Sequence, residues 1–107
     1  MNARTLAHYQ ARARIVKALA HPARLLIVDE LSKRGERCVC ELTEMIGSDM
    51  STVSRHLALL KGAGLVQDEK RGQMVFYRLR VPSLLSFFDG IESLLTCNAK
   101  RHQELMA

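Results

Sequence analysis

A mainly α fold with one late β-hairpin (α+β) is predicted for this 107-residue chain by three features. Apolar residues recur at helical spacing through most of its length. Two β-branched and aromatic runs late in the chain flank a basic, glycine-containing tip. Between them in order of interest stands Cys38 to Lys61, where two short amphipathic segments are joined by a polar turn. A chain of this size buries one modest core, so residues 1–107 are read as a single domain.

Leu6, Tyr9, Ala13, Val16 and Leu19 or Ala20 fall on one helical face while Arg4, Arg12, Arg14 and Lys17 occupy others, which predicts an amphipathic helix over 5–19 ended by His21-Pro22. Pro22 suits the first turn of a second helix, where a missing N–H is harmless, and the apolar run 23–31 places that helix at the centre of the core. Ser32 to Arg37 is polar and holds a glycine, so it reads as a loop. Leu42, Met45 and Ile46 stripe a short third helix, and Gly47 lets the chain turn sharply after it. Asp49 or Ser48 caps a fourth helix with Val53, Leu57 and Leu60 facing inward. Ser51, Thr52, Ser54, Arg55, Ala58 and Lys61 lie elsewhere on that cylinder. A short helix, a tight turn and a second helix with a polar N-terminal half is the pattern of a helix-turn-helix, whose second helix enters the major groove. Gly62 and Gly64 end it. Leu65-Val66 and Val75-Phe76-Tyr77 then flank Lys70-Arg71-Gly72-Gln73, a hairpin whose basic tip can reach phosphates or a neighbouring minor groove. Val81-Pro82-Ser83 opens a closing helix with Leu84, Phe87, Phe88, Ile91, Leu94 and Leu95 in stripe, widened by Leu85. So much apolar surface on a small domain points to a partner subunit.

Sixteen Lys and Arg against eleven Asp and Glu give +5, which favours a polyanionic partner. The charge is patchy: residues 1–37 carry eight positive and three negative charges and 61–80 five and two, while 38–60 are net negative by two. No window approaches the roughly 18 apolar residues of a membrane span, and no apolar signal core follows the first basic residues, so no membrane partner and a cytoplasmic location are expected. Three cysteines, two of them one residue apart, do not form a secreted disulfide framework. No nucleophile–base pair, phosphate-binding glycine loop or carboxylate pair suggests an enzyme.

Five segments in order, Leu19-Ala20-His21-Pro22-Ala23-Arg24-Leu25, Cys38-Val39-Cys40-Glu41-Leu42, Ser54-Arg55-His56-Leu57-Ala58-Leu59-Leu60, Ala63-Gly64-Leu65-Val66, and Arg71-Gly72-Gln73 with Tyr77-Arg78-Leu79, resemble the ArsR/SmtB family of metal-responsive repressors. The resemblance implies a winged helix-turn-helix acting as a homodimer on palindromic double-stranded operator DNA. The reading helices would enter successive major grooves about one turn (~34 Å) apart, and the terminal helices would pair across the dimer axis. Ser51, Thr52, Ser54, Arg55, His56, Lys61, Lys70, Arg71 and Gln73 are then the expected DNA contacts, with Arg55 the first choice for a guanine or phosphate. Cys38 and Cys40 match the Cys-Val-Cys of the arsenical branch, which implies As(III) or Sb(III) as inducer, with Cd(II), Pb(II) and Zn(II) as further thiophilic ions. Thr43 stands where some members have a third cysteine, so Cys97, or a water or hydroxide, is left to complete the site. Asp89-Gly90-Ile91 lacks the Asp-x-His that starts the terminal-helix zinc site of other members.

The spacing of the pair carries its own consequence. Residues i and i+2 stand roughly 200° apart on a helix but share a face in extended backbone. Both sulfurs grip one ion only where the helix start is, or becomes, non-helical, so binding would reshape the support of the reading helix and shift it away from DNA. Lys33, Arg34 and Arg37 just upstream favour thiolate over thiol. Two alternatives stand beside this: buried, inert cysteines, and a thiol redox or reactive-sulfur sensor that pairs Cys97 with Cys38 or Cys40.

Overall fold

The computed structural model describes residues 1–106. Its helices are α1 (Ala3–Leu19), α2 (Pro22–Arg34), α3 (Val39–Ile46), α4 (Met50–Gly62) and α5 (Leu85–Met106), and its strands are β1 (Arg37–Cys38), β2 (Val66–Arg71) and β3 (Met74–Leu79). A 3-10 turn, Pro82–Leu84, leads into α5. The order is that of a winged helix-turn-helix, α3 and α4 forming the motif and β2–β3 the wing. No helix is long and apolar enough to cross a membrane among the described residues.

Local chemistry sets the helix ends. Asn2 accepts the Thr5 N–H at 2.8 Å and starts α1 at Ala3, two residues before the expected start at residue 5. His21 caps α2 by accepting the Ala23 N–H on Nδ1 at 3.0 Å, with Pro22 in the first turn as expected. The stretch 32–37 is not the loop its polarity suggests. Ser32, Lys33 and Arg34 form the solvent-facing last turn of α2, where the Ser32 hydroxyl donates to the Asp29 carbonyl at 2.7 Å and Lys33 pairs with the Asp29 carboxylate at 3.1 Å. Gly35, at φ +78°, ends that turn. Gly47, at φ 77° and ψ 15°, makes the left-handed turn between α3 and α4.

Arg37 and Cys38 then form a strand that the sequence pattern missed, being too short to show alternation. β1 pairs antiparallel with β3, Arg37 opposite Tyr77 and Cys38 opposite Phe76, giving a three-stranded sheet in the order β1-β3-β2. The wing strands are longer than their apolar residues: Lys70 pairs with Val75 and Arg71 with Met74, so both belong to β2 rather than to the tip.

Leu19, Ile27, Val28, Leu31, Leu42, Val53, Leu57, Leu60, Leu65 and Val66 form one core. Val53, Leu57 and Leu60, the stripe expected to face inward, are fully buried and fix the rotation of α4. The terminal helices are different. α5 contains no buried residue, and Leu94 and Leu95 are 60% and 56% exposed. On α1, Leu6, Tyr9, Ile15 and Val16 are also exposed. The radius of gyration is 16.6 Å, against about 13 Å for a compact chain of this length, because both terminal helices stand off the core.

A thiol pair beside a candidate nucleic-acid interface

Cys38 is the N-cap of α3. Its backbone is extended (φ −80°, ψ 160°), its Sγ accepts the Glu41 N–H at 3.3 Å, and its own N–H donates to Glu41 Oε1 at 3.1 Å. A cysteine thus takes the place that serine or threonine holds in a capping box. The extended step at Cys38 also turns its side chain toward Cys40, one residue inside the helix. Their Cα atoms lie 5.4 Å apart and their sulfurs meet as a disulfide. The non-helical start that the i, i+2 spacing requires is therefore built in. Cys38 is 2% exposed and Cys40 is open to solvent, so the pair is reached from the Cys40 side.

The surroundings of the pair bear on its charge and on its third ligand. Two of the three upstream cations are already engaged, Lys33 with Asp29, and Arg37 with Glu30 at 3.3 Å and Glu41 at 3.1 Å, while Arg34 is exposed at the end of α2. Their support for thiolate charge is correspondingly reduced, and the Glu41 N–H is the nearest donor. Thr43, in the position of a third thiol, donates its hydroxyl to the Val39 carbonyl at 2.7 Å and closes that site on the helix backbone. Cys97 is free and exposed on α5, where it lines a depression with Glu92, Ser93, Thr96 and Lys100 of its own helix. Within one chain it pairs with neither Cys38 nor Cys40. Among the described residues no group of three or more His, Cys, Asp or Glu side chains gathers to hold a metal ion.

The pair opens into a cleft of about 240 Å³ lined by Cys38, Val39, Cys40, Met50, Ser54, Gln73, Met74 and Val75. That cleft joins the start of α3, the first turns of α4 and the wing. Met50 and Met74 carried no functional signal in the sequence, since both look like spare apolar residues until the fold brings them to the thiols.

On α4, Asp49 accepts the Thr52 N–H at 2.7 Å and the Ser51 hydroxyl at 2.8 Å. Those bonds, the Thr52 backbone first, hold its carboxyl below the usual range. Ser51 is thus committed to the cap, while Ser54 and Arg55 are exposed one turn on. His56, counted among the expected contacts, is half-buried rather than exposed. It sits three residues from Val53 and four from Leu60, on the flank of the inward stripe, with its ring 4.4 Å from that of His21. Its Nδ1 is buried with no hydrogen-bond partner among the described residues.

Burial, and then the neighbouring His21, Arg24 and Arg55, push the His56 pKa below its ordinary 6.5. The unfolded chain therefore takes up this proton at higher pH than the folded one. Stability is fully present above about pH 6.5 and is lost as pH falls through the folded value. In urea titrations between about pH 7 and pH 5, the wild-type midpoint should fall more than that of His56→Gln. Equal falls would show that His56 plays no part.

Two expected cations are internally compensated. Lys61 binds Asp68 at 2.9 Å, which raises its pKa. Arg71 holds Glu36 at 2.8 Å and Glu69 at 2.7 Å, with its guanidinium 4.7 Å from the Phe76 ring centre, and is likewise raised. Any phosphate would have to draw these side chains off their carboxylates. Lys70 and Gln73 are exposed on the same wing.

Comparison with known proteins places this arrangement. The family of the bacterial regulatory protein, arsR family, matches residues 21–68, which hold α2, the helix-turn-helix and the start of the wing. An uncharacterized HTH-type transcriptional regulator of Methanocaldococcus jannaschii is 36% identical over 78% of this chain and 97% of its own length. The arsenic resistance transcriptional regulator ArsR1 of Pseudomonas putida is 42% identical over 72% of the chain, and the arsenical resistance operon repressor of Escherichia coli 48% identical over 61%. The chain spans 59% and 56% of the length of those two. Among solved structures, NolR from Sinorhizobium fredii has a TM-score of 0.79 at 26% identity, covering 88% of this chain and 93% of its own. A homodimeric winged helix-turn-helix domain from Mycobacterium bovis, a possible ArsR-family regulator, has a TM-score of 0.73 at 33% identity, covering 97% and 92%. With the helix-turn-helix and the wing matched in both sequence and structure, the chain belongs to the arsR family of DNA-binding transcriptional regulators, which are not enzymes.

Proposed function

We propose that this chain is a homodimeric repressor of a palindromic operator, released from DNA when As(III) or Sb(III) is captured by Cys38 and Cys40. The observation that carries the reading is the double role of Cys38, which is at once the cap of α3 and half of a convergent sulfur pair. Relatives named as arsenic and cadmium resistance regulators support the ligand class.

A dithiol reductant first returns the pair to two thiols, with two electrons and two protons, and is itself oxidised to a disulfide. Arsenous acid then exchanges two hydroxides for the two sulfurs, with release of two waters. Cys38 Sγ commits its electron density to the ion and weakens its acceptance of the Glu41 N–H. Loss of a helix N-cap costs about 0.5–2 kcal/mol, enough to shift the start of α3. The change has two physical routes outward. One is the β1–β3 pairing of Cys38 with Phe76 and the Glu36–Arg71 ion pair into the wing. The other is the shared cleft, whose wall includes Met50 and Ser54 of α4. Cd(II), Pb(II) and Zn(II) are weaker candidates for the same pair, because among the described residues no third His, Cys, Asp or Glu side chain gathers with it.

The dimer rests on the exposed apolar faces of α1 and α5, and Arg55 is the leading base or phosphate contact on α4. Arg55→Ala should weaken specific binding by about 1–3 kcal/mol, with little effect on nonspecific duplex for a base contact and a matching loss there for a phosphate contact. The test of the whole reading is fluorescence anisotropy on an operator selected by the protein from randomised duplex DNA, with arsenite added to wild type and Cys38→Ser. Full release from Cys38→Ser would show that the pair is not the trigger.

The Cys38–Cys40 disulfide gives the alternative of redox sensing a form that does not use Cys97, and the state of the α3 cap in it argues against release. Peroxide would oxidise the dithiol to the Cys38–Cys40 disulfide and two waters. In that disulfide the α3 cap stands intact, so oxidation alone should leave the operator complex formed and block its response to arsenite. Release by peroxide alone would favour the redox sensor.

A further inference from the structure

Three segments distant in sequence line one cleft with four sulfur-bearing side chains: Cys38 and Cys40 from the start of α3, Met50 from the first position of α4, and Met74 from the first position of β3. Neither methionine belongs to the core, and they are 55% and 44% exposed. An unbranched thioether exposed beside a thiol pair is a soft donor as well as an apolar side chain.

We infer that in its dithiol form this cleft is also a site for a soft monovalent cation of the Cu(I) or Ag(I) class, with the Met50 and Met74 thioethers supplementing the Cys38 and Cys40 thiolates. This rests on the reading of the pair as a soft-ion site and adds the methionines as the residues that set which ions it takes. Two thiolates already outweigh a single positive charge, so further donors to such a cation must be neutral, and thioethers are neutral and soft. A trivalent metalloid is satisfied by thiolate and hydroxide and leaves thioethers unused. The two methionines lie on the elements that meet DNA, so a cation held by all four sulfurs ties α3, α4 and the wing together, whereas a metalloid engages α3 alone.

The test uses the full chain, reduced and kept under nitrogen, with Ag(I) as a redox-inert probe and arsenite as the contrast. Wild type, Met50→Leu with Met74→Leu, and Cys38→Ser with Cys40→Ser are titrated against a competing chelator. The methionine variant should lose roughly tenfold or more in Ag(I) affinity, a scale reached even by outer-shell partners of metal sites, and keep its arsenite affinity. In protein carrying selenium in place of methionine sulfur, X-ray absorption at the selenium edge should show a silver neighbour. Unchanged Ag(I) affinity without that neighbour, or an equal loss for arsenite, overturns the methionine assignment and leaves the thiol pair standing. Retained binding of both ions by the cysteine variant overturns the thiol-pair reading itself.

Discussion

Cys38→Ser should bind operator as tightly as wild type and fail to let go when arsenite is added. Serine is itself a good N-cap, so its hydroxyl can accept the Glu41 N–H that Cys38 Sγ accepts now, and the capping box with Glu41 is kept. The substitution thus removes a soft ligand while preserving the local fold. Allosteric coupling in such systems is about 1–3 kcal/mol, so arsenite should lower wild-type operator affinity roughly 5–150-fold and leave that of the variant unchanged. The same coupling requires that operator DNA lower arsenite affinity by the same factor, which calorimetry on the two species measures independently. Weak operator binding by Cys38→Ser without arsenite would show that serine does not replace the cap.

Leu94→Glu combined with Leu95→Glu should give a folded monomer that binds the operator poorly. The two leucines are more than half exposed and Phe88, not they, packs α5 against the core, so the charges remove partner surface without opening the core. A half-site alone forgoes the effective concentration that tethers its twin, a loss of about 10²–10⁴ in affinity. Sedimentation equilibrium reads the assembly and anisotropy reads the binding. A dimer that persists would move the interface off α5.

The order of elements was legible because each helix carries a clear stripe: Val53, Leu57 and Leu60 on α4 and Leu42 on α3 all reached the core. The need for a non-helical start at Cys38 was legible from the i, i+2 spacing, whereas the Cys38–Cys40 disulfide was not, since either cysteine was expected to pair only with Cys97. What escaped the sequence depended on contacts between distant residues. β1 is two residues long and exists because Phe76 and Tyr77 are there to pair with it. Lys61 and Arg71 read as cations for DNA, yet Asp68, Glu36 and Glu69 already hold them. His56 sits among polar neighbours in sequence, but its position relative to Val53 and Leu60 turns it toward His21. Met50 and Met74 acquired a role only when the wing folded against α3 and α4.

In the capture proposed above, the unequal exposure of Cys38 and Cys40 sets an order of steps. Cys40 faces solvent, so it is met first, at a rate that follows ligand concentration. Cys38, 2% exposed, can join only by a later step within the same molecule, whose pace is set by how often the α3 cap opens. A ligand able to bond once leaves from Cys40 before that opening occurs, while one able to bond twice is retained. The buried cap thereby acts as a delay that separates monovalent thiol reagents from bidentate ones before any difference in affinity is expressed.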